Sequence, residues 1–180
     1  VVSTASSYLS LWQDPLVAAN TSESDFAIDD IANLDHPVSL YLVVGPQDKD
    51  RMQPLIRLVF QFLGQRLMSK IAKERRPVLF CIDELPSLGA MSFLEEQLAY
   101  FRGFNIKTLL VSQSFSQLYK TYGDNTSIPD NCKTKVFMGA DTPDDAERIA
   151  SYLGDETIVR QSSSTSKNAS SLIVEGHNIS

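Results

Sequence analysis

Two cysteines, two histidines and eight glycines are sparse for 180 residues, and each scarcity removes a class of chemistry. Cys81 and Cys132 make no disulfide framework, and each is expected in an apolar setting, so a reduced cytosolic compartment is the simpler expectation. His36 and His177 lie far apart with no Cys/His cluster around either, which argues against zinc. None of the eight glycines precedes a lysine, so no G-x-x-x-x-G-K-[ST] phosphate loop exists here. No two glycines stand in G-x-G spacing, and no G-x-S-x-G elbow occurs. A dinucleotide fingerprint and a serine-hydrolase nucleophile are therefore absent as well. No apolar run approaches the ~18 residues of a membrane-spanning helix. No signal peptide is expected, so the N-x-S/T sites at Asn20, Asn125, Asn168 and Asn178 carry no expectation of glycosylation. Positive charge is the minority: 16 Lys+Arg against 22 Asp+Glu leave a net −6. That balance opposes a surface that coats nucleic acid broadly and leaves a local basic loop open.

What is present is ordinary globular material, 43% hydrophobic and 21% charged, enough for one sizeable core. The chain starts at Val1 in mid-pattern and reads as a piece of something longer. Asp14-Pro15 marks a turn or helix start, because proline suits the first helical position. Phe26, Ile28, Ile31 and Leu34 fit a short helical turn that His36-Pro37 ends. Val38–Val44 is a continuous β-prone run closed by Gly45-Pro46, the pattern of a strand covered on both faces. Arg51 to Lys73 reads as a long helix with apolar residues on more than one stripe, hence largely buried. Its basic end (Lys70, Lys73, Arg75, Arg76) suits a helix C-terminus better than a DNA patch. Further strands are expected at Val78–Ile82, Thr108–Val111 and Lys135–Met138, with helices at Phe93–Phe101, Phe115–Tyr122 and Pro143–Leu153. Gly123-Asp124-Asn125 should break the second of these helices. Alternating strands and helices predict an α/β fold with a mainly parallel, doubly wound sheet.

The chemistry is concentrated in Val78-Leu79-Phe80-Cys81-Ile82-Asp83-Glu84. An apolar strand ending in two acids presents carboxylates at its C-terminal edge, where open α/β sheets bind ligands. Successive side chains point to opposite faces, so Asp83 and Glu84 cannot share one task. In a nucleotide hydrolase the first acid holds Mg²⁺ and the second orients or deprotonates the attacking water. The plainer alternative is that both cap the following turn. The next strand ends in Ser112-Gln113-Ser114, and an amide at that edge can bond both a phosphate oxygen and a water. A satisfied turn glutamine is the alternative there. Arg102, just before Gly103, is either a helix-end partner for the dipole or a guanidinium that reaches a neighbouring subunit.

These motifs resemble the C-terminal part of the motor domain of type IV secretion coupling proteins, the TraG/TraD conjugation group. VLFCIDELPSLG (Val78–Gly89) is similar to the family's Walker B block. LVSQSFSQL (Leu110–Leu118) resembles its following strand with a sensor glutamine, and SIPDNCKTKVFMGAD (Ser127–Asp141) the segment after that. Val38–Val44 with Gln47-Asp48 resembles the strand and turn after the family's all-α insertion.

The resemblance implies a RecA/FtsK-like P-loop NTPase fold. Residues 1–24 would be the tail of the all-α domain, 25–160 the C-terminal part of the motor and 161–180 a Ser-rich loop or hairpin. It implies a homohexamer that uses ATP and Mg²⁺ on the cytoplasmic face of the bacterial inner membrane, held there by an N-terminal segment. Its partners would be a relaxase with its single-stranded DNA, or protein substrates, and the secretion channel. By position, Asp83 would serve Mg²⁺, Glu84 the water, Gln113 the γ-phosphate and Arg102 a finger in trans. A catalytically silent RecA-like docking module and another FtsK-like DNA translocase stay open as alternatives.

Overall fold

The computed structural model describes residues 9–69 and 76–154. The expected Ser-rich segment at 161–180 and three of the four basic residues at 70–76 lie outside them. The chain forms two units, residues 1–136 and 137–180.

In the first unit α1 (Pro15–Asn20) starts where Asp14-Pro15 predicts. The Asp14 carboxylate caps it, accepting from the Leu16 amide at 2.8 Å and satisfying one orphan donor of the first turn. Arg51 pairs with the same carboxylate and holds its pKa below the usual aspartate range. The short α2 (Asp30–Asn33) follows, and then α3 (Lys49–Met68), the longest described helix at 20 residues. α3 buries Ile56, Leu63, Gly64 and Leu67, a single stripe. Its outer side leaves Leu58 49% and Phe62 62% exposed, so the expectation of a largely buried helix is corrected. Of the basic cluster, Arg76 is described, and its guanidinium donates to the Asp35 carbonyl.

β1 (Val78–Ile82) and β2 (Ile106–Leu110) form a parallel pair with Val78 opposite Ile106 and Ile82 opposite Leu110. Between them run a 3-10 turn (Leu85–Leu88), α4 (Ser92–Gln97) and a second 3-10 turn (Phe101–Phe104). α5 (Phe115–Tyr122) and α6 (Ile128–Asn131) complete the unit. Gly123, at φ 86°, ends α5 as its sequence predicts.

Val78, Phe80 and Ile82 face the core, packed with Leu63 and Leu67 of α3, Leu94 of α4, Leu98, Phe101 and Leu118 of α5. Phe80 sits among rings, edge-on to Phe60 at 5.6 Å and to Phe101 at 5.8 Å. Such contacts add to the burial gain of large aromatics. Phe101 is only 2% exposed, so Phe101→Ala is expected to cost about 3–5 kcal/mol, read as a lowered denaturation midpoint of the complete protein.

Two expected strands are not strands. Val38–Val44 forms no strand and makes no backbone ladder with another described segment, and Tyr41 and Val43 are 81% and 87% exposed. Lys135–Met138 likewise forms no strand, with Met138 fully exposed. β propensity marks residues that suit a pleated, half-buried surface, but a strand also needs a neighbour's ladder. The described sheet accordingly has two strands, and one of its faces is bare. Leu79, at 57%, and Leu109, at 51%, are exposed there with Cys81, which corrects both the expected cover and the apolar setting assigned to that thiol.

In the second unit α7 (Pro143–Leu153) covers its predicted span. The Thr142 hydroxyl caps it by accepting from the Asp145 amide at 3.1 Å, and Phe137 stacks on Tyr152.

Candidate functional site

Parallel pairing in this register makes β1 and β2 end together, with the Val111 amide donating to the Ile82 carbonyl at 3.0 Å. The next residues of both strands therefore leave from one edge. Asp83 and Glu84 follow Ile82, and Gln113 stands three residues after Leu110. Leu85 then turns back into the core, 1% exposed, and its amide donates to the Val111 carbonyl at 2.8 Å. That bond closes the ladder directly behind the acids.

The two acids differ as strand alternation requires. Asp83 is exposed and Glu84 half-buried. Glu84 also adopts a left-handed backbone, φ 62° and ψ 63°, a region that disfavours residues with a β-carbon and is held only when surroundings over-determine it. Among the described residues neither carboxylate makes a side-chain hydrogen bond or ion pair. Gln113 is exposed, and its Oε1 accepts from Gln117 Nε2 one helical turn on, at 3.4 Å.

Arg102 lies elsewhere. It belongs to the 3-10 turn just before β2, beside Val78, whose amide donates to the Asn105 carbonyl. The five-residue strands separate this edge from the acids by roughly 16 Å. The guanidinium is exposed and makes no hydrogen bond or ion pair to another described residue. The alternative of an arginine satisfying its own helix-end carbonyls finds no such bond.

Magnesium prefers oxygen ligands and is usually held by one or two carboxylates together with substrate phosphates and water. An unengaged carboxylate at the sheet edge fits that habit. Among the described residues no group of three or more metal-ligating side chains converges, so Asp83 would supply one ligand to a metal shared with phosphates. No described helix is long and apolar enough to cross a membrane.

Pattern reading missed the residues that hold the turn after the acids. Gln53 Nε2 of α3 donates to the Ser87 carbonyl at 2.8 Å. Arg57, one helical turn later, donates to Gln53 Oε1 at 2.6 Å and to the Ala90 carbonyl at 3.4 Å. The Tyr122 hydroxyl of α5 bridges the Gly89 carbonyl and the Met91 amide, each at 3.4 Å. Burial raises the pKa of that hydroxyl, so it stays a neutral donor. An i, i+4 Gln/Arg pair was the only available signal, and many exposed helices carry one.

The comparisons with known proteins agree with one another. The family model described as type IV secretory system conjugative DNA transfer matches residues 1–176. A conjugal transfer protein TraG of Escherichia coli is 38% identical over 185 aligned positions, covering 97% of this chain and 29% of that protein. A second TraG from the same species is 37% identical over 92% of the chain. The protein VirD4 of Agrobacterium fabrum (strain C58) is 33% identical over 88% of the chain and 24% of its own length. The chain thus spans less than a third of these relatives. Matched over nearly its whole length by both the model and these relatives, the chain belongs to the type IV secretory system conjugative DNA transfer family.

Proposed function

We propose that the chain is the acid-bearing part of a coupling-protein motor, a hexameric RecA/FtsK-like P-loop ATPase on the cytoplasmic face of the bacterial inner membrane. The motor passes relaxase-bound single-stranded DNA to a type IV secretion channel, and ATP hydrolysis drives the transfer. The observation that carries this reading is the common strand edge from which Asp83, Glu84 and Gln113 emerge. The names of the TraG and VirD4 relatives and the family description supply the conjugative context.

In this reading Asp83 contributes a carboxylate oxygen to Mg²⁺, whose charge supplies electrostatic relief at the phosphates. Glu84 orients the attacking water and takes its proton, and the Gln113 amide bonds the γ-phosphate region. Arg102, at the edge opposite its own acids, serves the neighbouring subunit.

The complete protein should hydrolyse ATP only with Mg²⁺ present. The 180-residue chain alone should bind Mg-ATP negligibly, because it contains no G-x-x-x-x-G-K-[ST] cradle for the β- and γ-phosphates. Isothermal calorimetry decides the second point. Micromolar affinity for the chain alone would overturn the assignment of phosphate binding to residues beyond it.

A further inference from the structure

The left-handed backbone at Glu84 needs something to hold it. The residue's carbonyl accepts from the Ser87 amide at 3.0 Å, and the Gly89 amide donates to Pro86 at 3.0 Å. These bonds make the 3-10 turn a rigid lever attached to Glu84. Leu85 is buried and Leu88 packs against the core, while the following residues from Ala90 to Leu94 border a cavity of about 210 Å³ together with Arg57, Phe60 and Phe80. Apolar contact thus anchors the turn at Leu85 and Leu88, and polar contacts from α3 and α5 act on its backbone in addition. Gln53 holds Ser87, Arg57 holds both Gln53 and Ala90, and Tyr122 holds Gly89 and Met91.

We propose that Gln53 and Arg57 are positioning residues, a clamp from α3 that sets the Glu84 carboxylate through the Ser87–Ala90 backbone. The inference rests on the ATPase reading above. Neither side chain need touch nucleotide, so nucleotide affinity is left alone and turnover is not. A misplacement on the order of 1 Å at the attacking water costs as much as about 10²-fold in rate.

The test uses the complete protein with Arg57→Met, which keeps the apolar stem, and Gln53→Leu, which cuts the same link from its other end. Each should lower kcat by about tenfold or more with KM for ATP within about twofold of wild type. Arg57→Lys should resemble Arg57→Met, because one compact ammonium does not span Gln53 and Ala90 as the planar fork does. The decisive arm repeats Arg57→Met on a Glu84→Gln background in single-turnover assays. A residue acting through the Glu84 carboxylate should cause no further fall there, whereas a merely structural one lowers both backgrounds by the same factor.

Equal factors, normal kcat in Arg57→Met and Gln53→Leu, or full rescue by Arg57→Lys would each overturn the clamp. A wild-type protein without ATPase activity would overturn the function itself and the positioning role with it. That result is distinct from active wild type with indifferent variants. Thermal melts of each variant separate lost folding from lost turnover.

Discussion

In the complete protein, Glu84→Gln is expected to leave Mg-ATP binding nearly intact while hydrolysis falls by about 10²–10⁴-fold, the range of a lost general base. The amide keeps the size and backbone preference of the side chain. It loses the negative charge that orients the water and accepts its proton, so the deficit falls on the transition state and not on binding. Asp83→Asn should give the complementary profile. Its lost charge weakens the Mg²⁺-dependent part of nucleotide affinity, visible as a smaller difference between titrations with Mg²⁺ and with chelator. The structural reason to expect two profiles is the contrast between an exposed Asp83 and a half-buried, left-handed Glu84. Identical profiles, or normal turnover in Glu84→Gln, would contradict this division of labour.

The second large effect concerns Arg102. Its place beside the N-terminal ends of β1 and β2 puts a whole strand length between it and its own acids. In a ring that sets this edge against the next subunit's site, the guanidinium would stabilise charge in trans, where such a finger is worth about 10³–10⁵ in rate. In such a ring, Arg102→Ala subunits alone should therefore be nearly inactive. Mixing them with Glu84→Gln subunits should restore part of the activity, because some interfaces then combine an intact Glu84 with an intact Arg102. Steady-state ATPase rates of rings confirmed as mixed decide it. No recovery, or normal activity of Arg102→Ala alone, removes the trans role.

The spans of β1, α5 and α7 were legible because each has an unambiguous local signal. Five apolar residues precede the acids, Gly123 stops one helix, and Thr142-Pro143 starts the other. The edge shared by Asp83 and Gln113 was legible too, since consecutive strands of a parallel pair must end on the same side. Burial was not legible. Val78-Leu79-Phe80-Cys81-Ile82 is apolar throughout, so nothing in its pattern reveals that one face is covered and the other bare. The same ambiguity made Val38–Val44 and Lys135–Met138 look like strands: propensity is local, whereas a ladder belongs to two segments at once. The contacts of Gln53, Arg57 and Tyr122 with backbone carbonyls were out of reach for a similar reason. A side chain that bonds a distant carbonyl leaves no complementary residue in the sequence to find.

The left-handed backbone at Glu84 also bears on how this protein would respond to selection. It is one of two non-glycine residues with positive φ among those described, the other being Asn105, and asparagine accepts that region more readily than glutamate. Replacing Glu84 by glycine would relieve a backbone cost of about 1–2 kcal/mol, partly offset by the greater freedom of glycine in the unfolded chain. It would also delete the carboxylate proposed to orient the water. Stability and turnover thus pull in opposite directions at a single residue. A screen that ranks variants by melting temperature alone would reward loss of the group on which hydrolysis is expected to depend, and thermostabilisation of this protein has to be scored by turnover at that position.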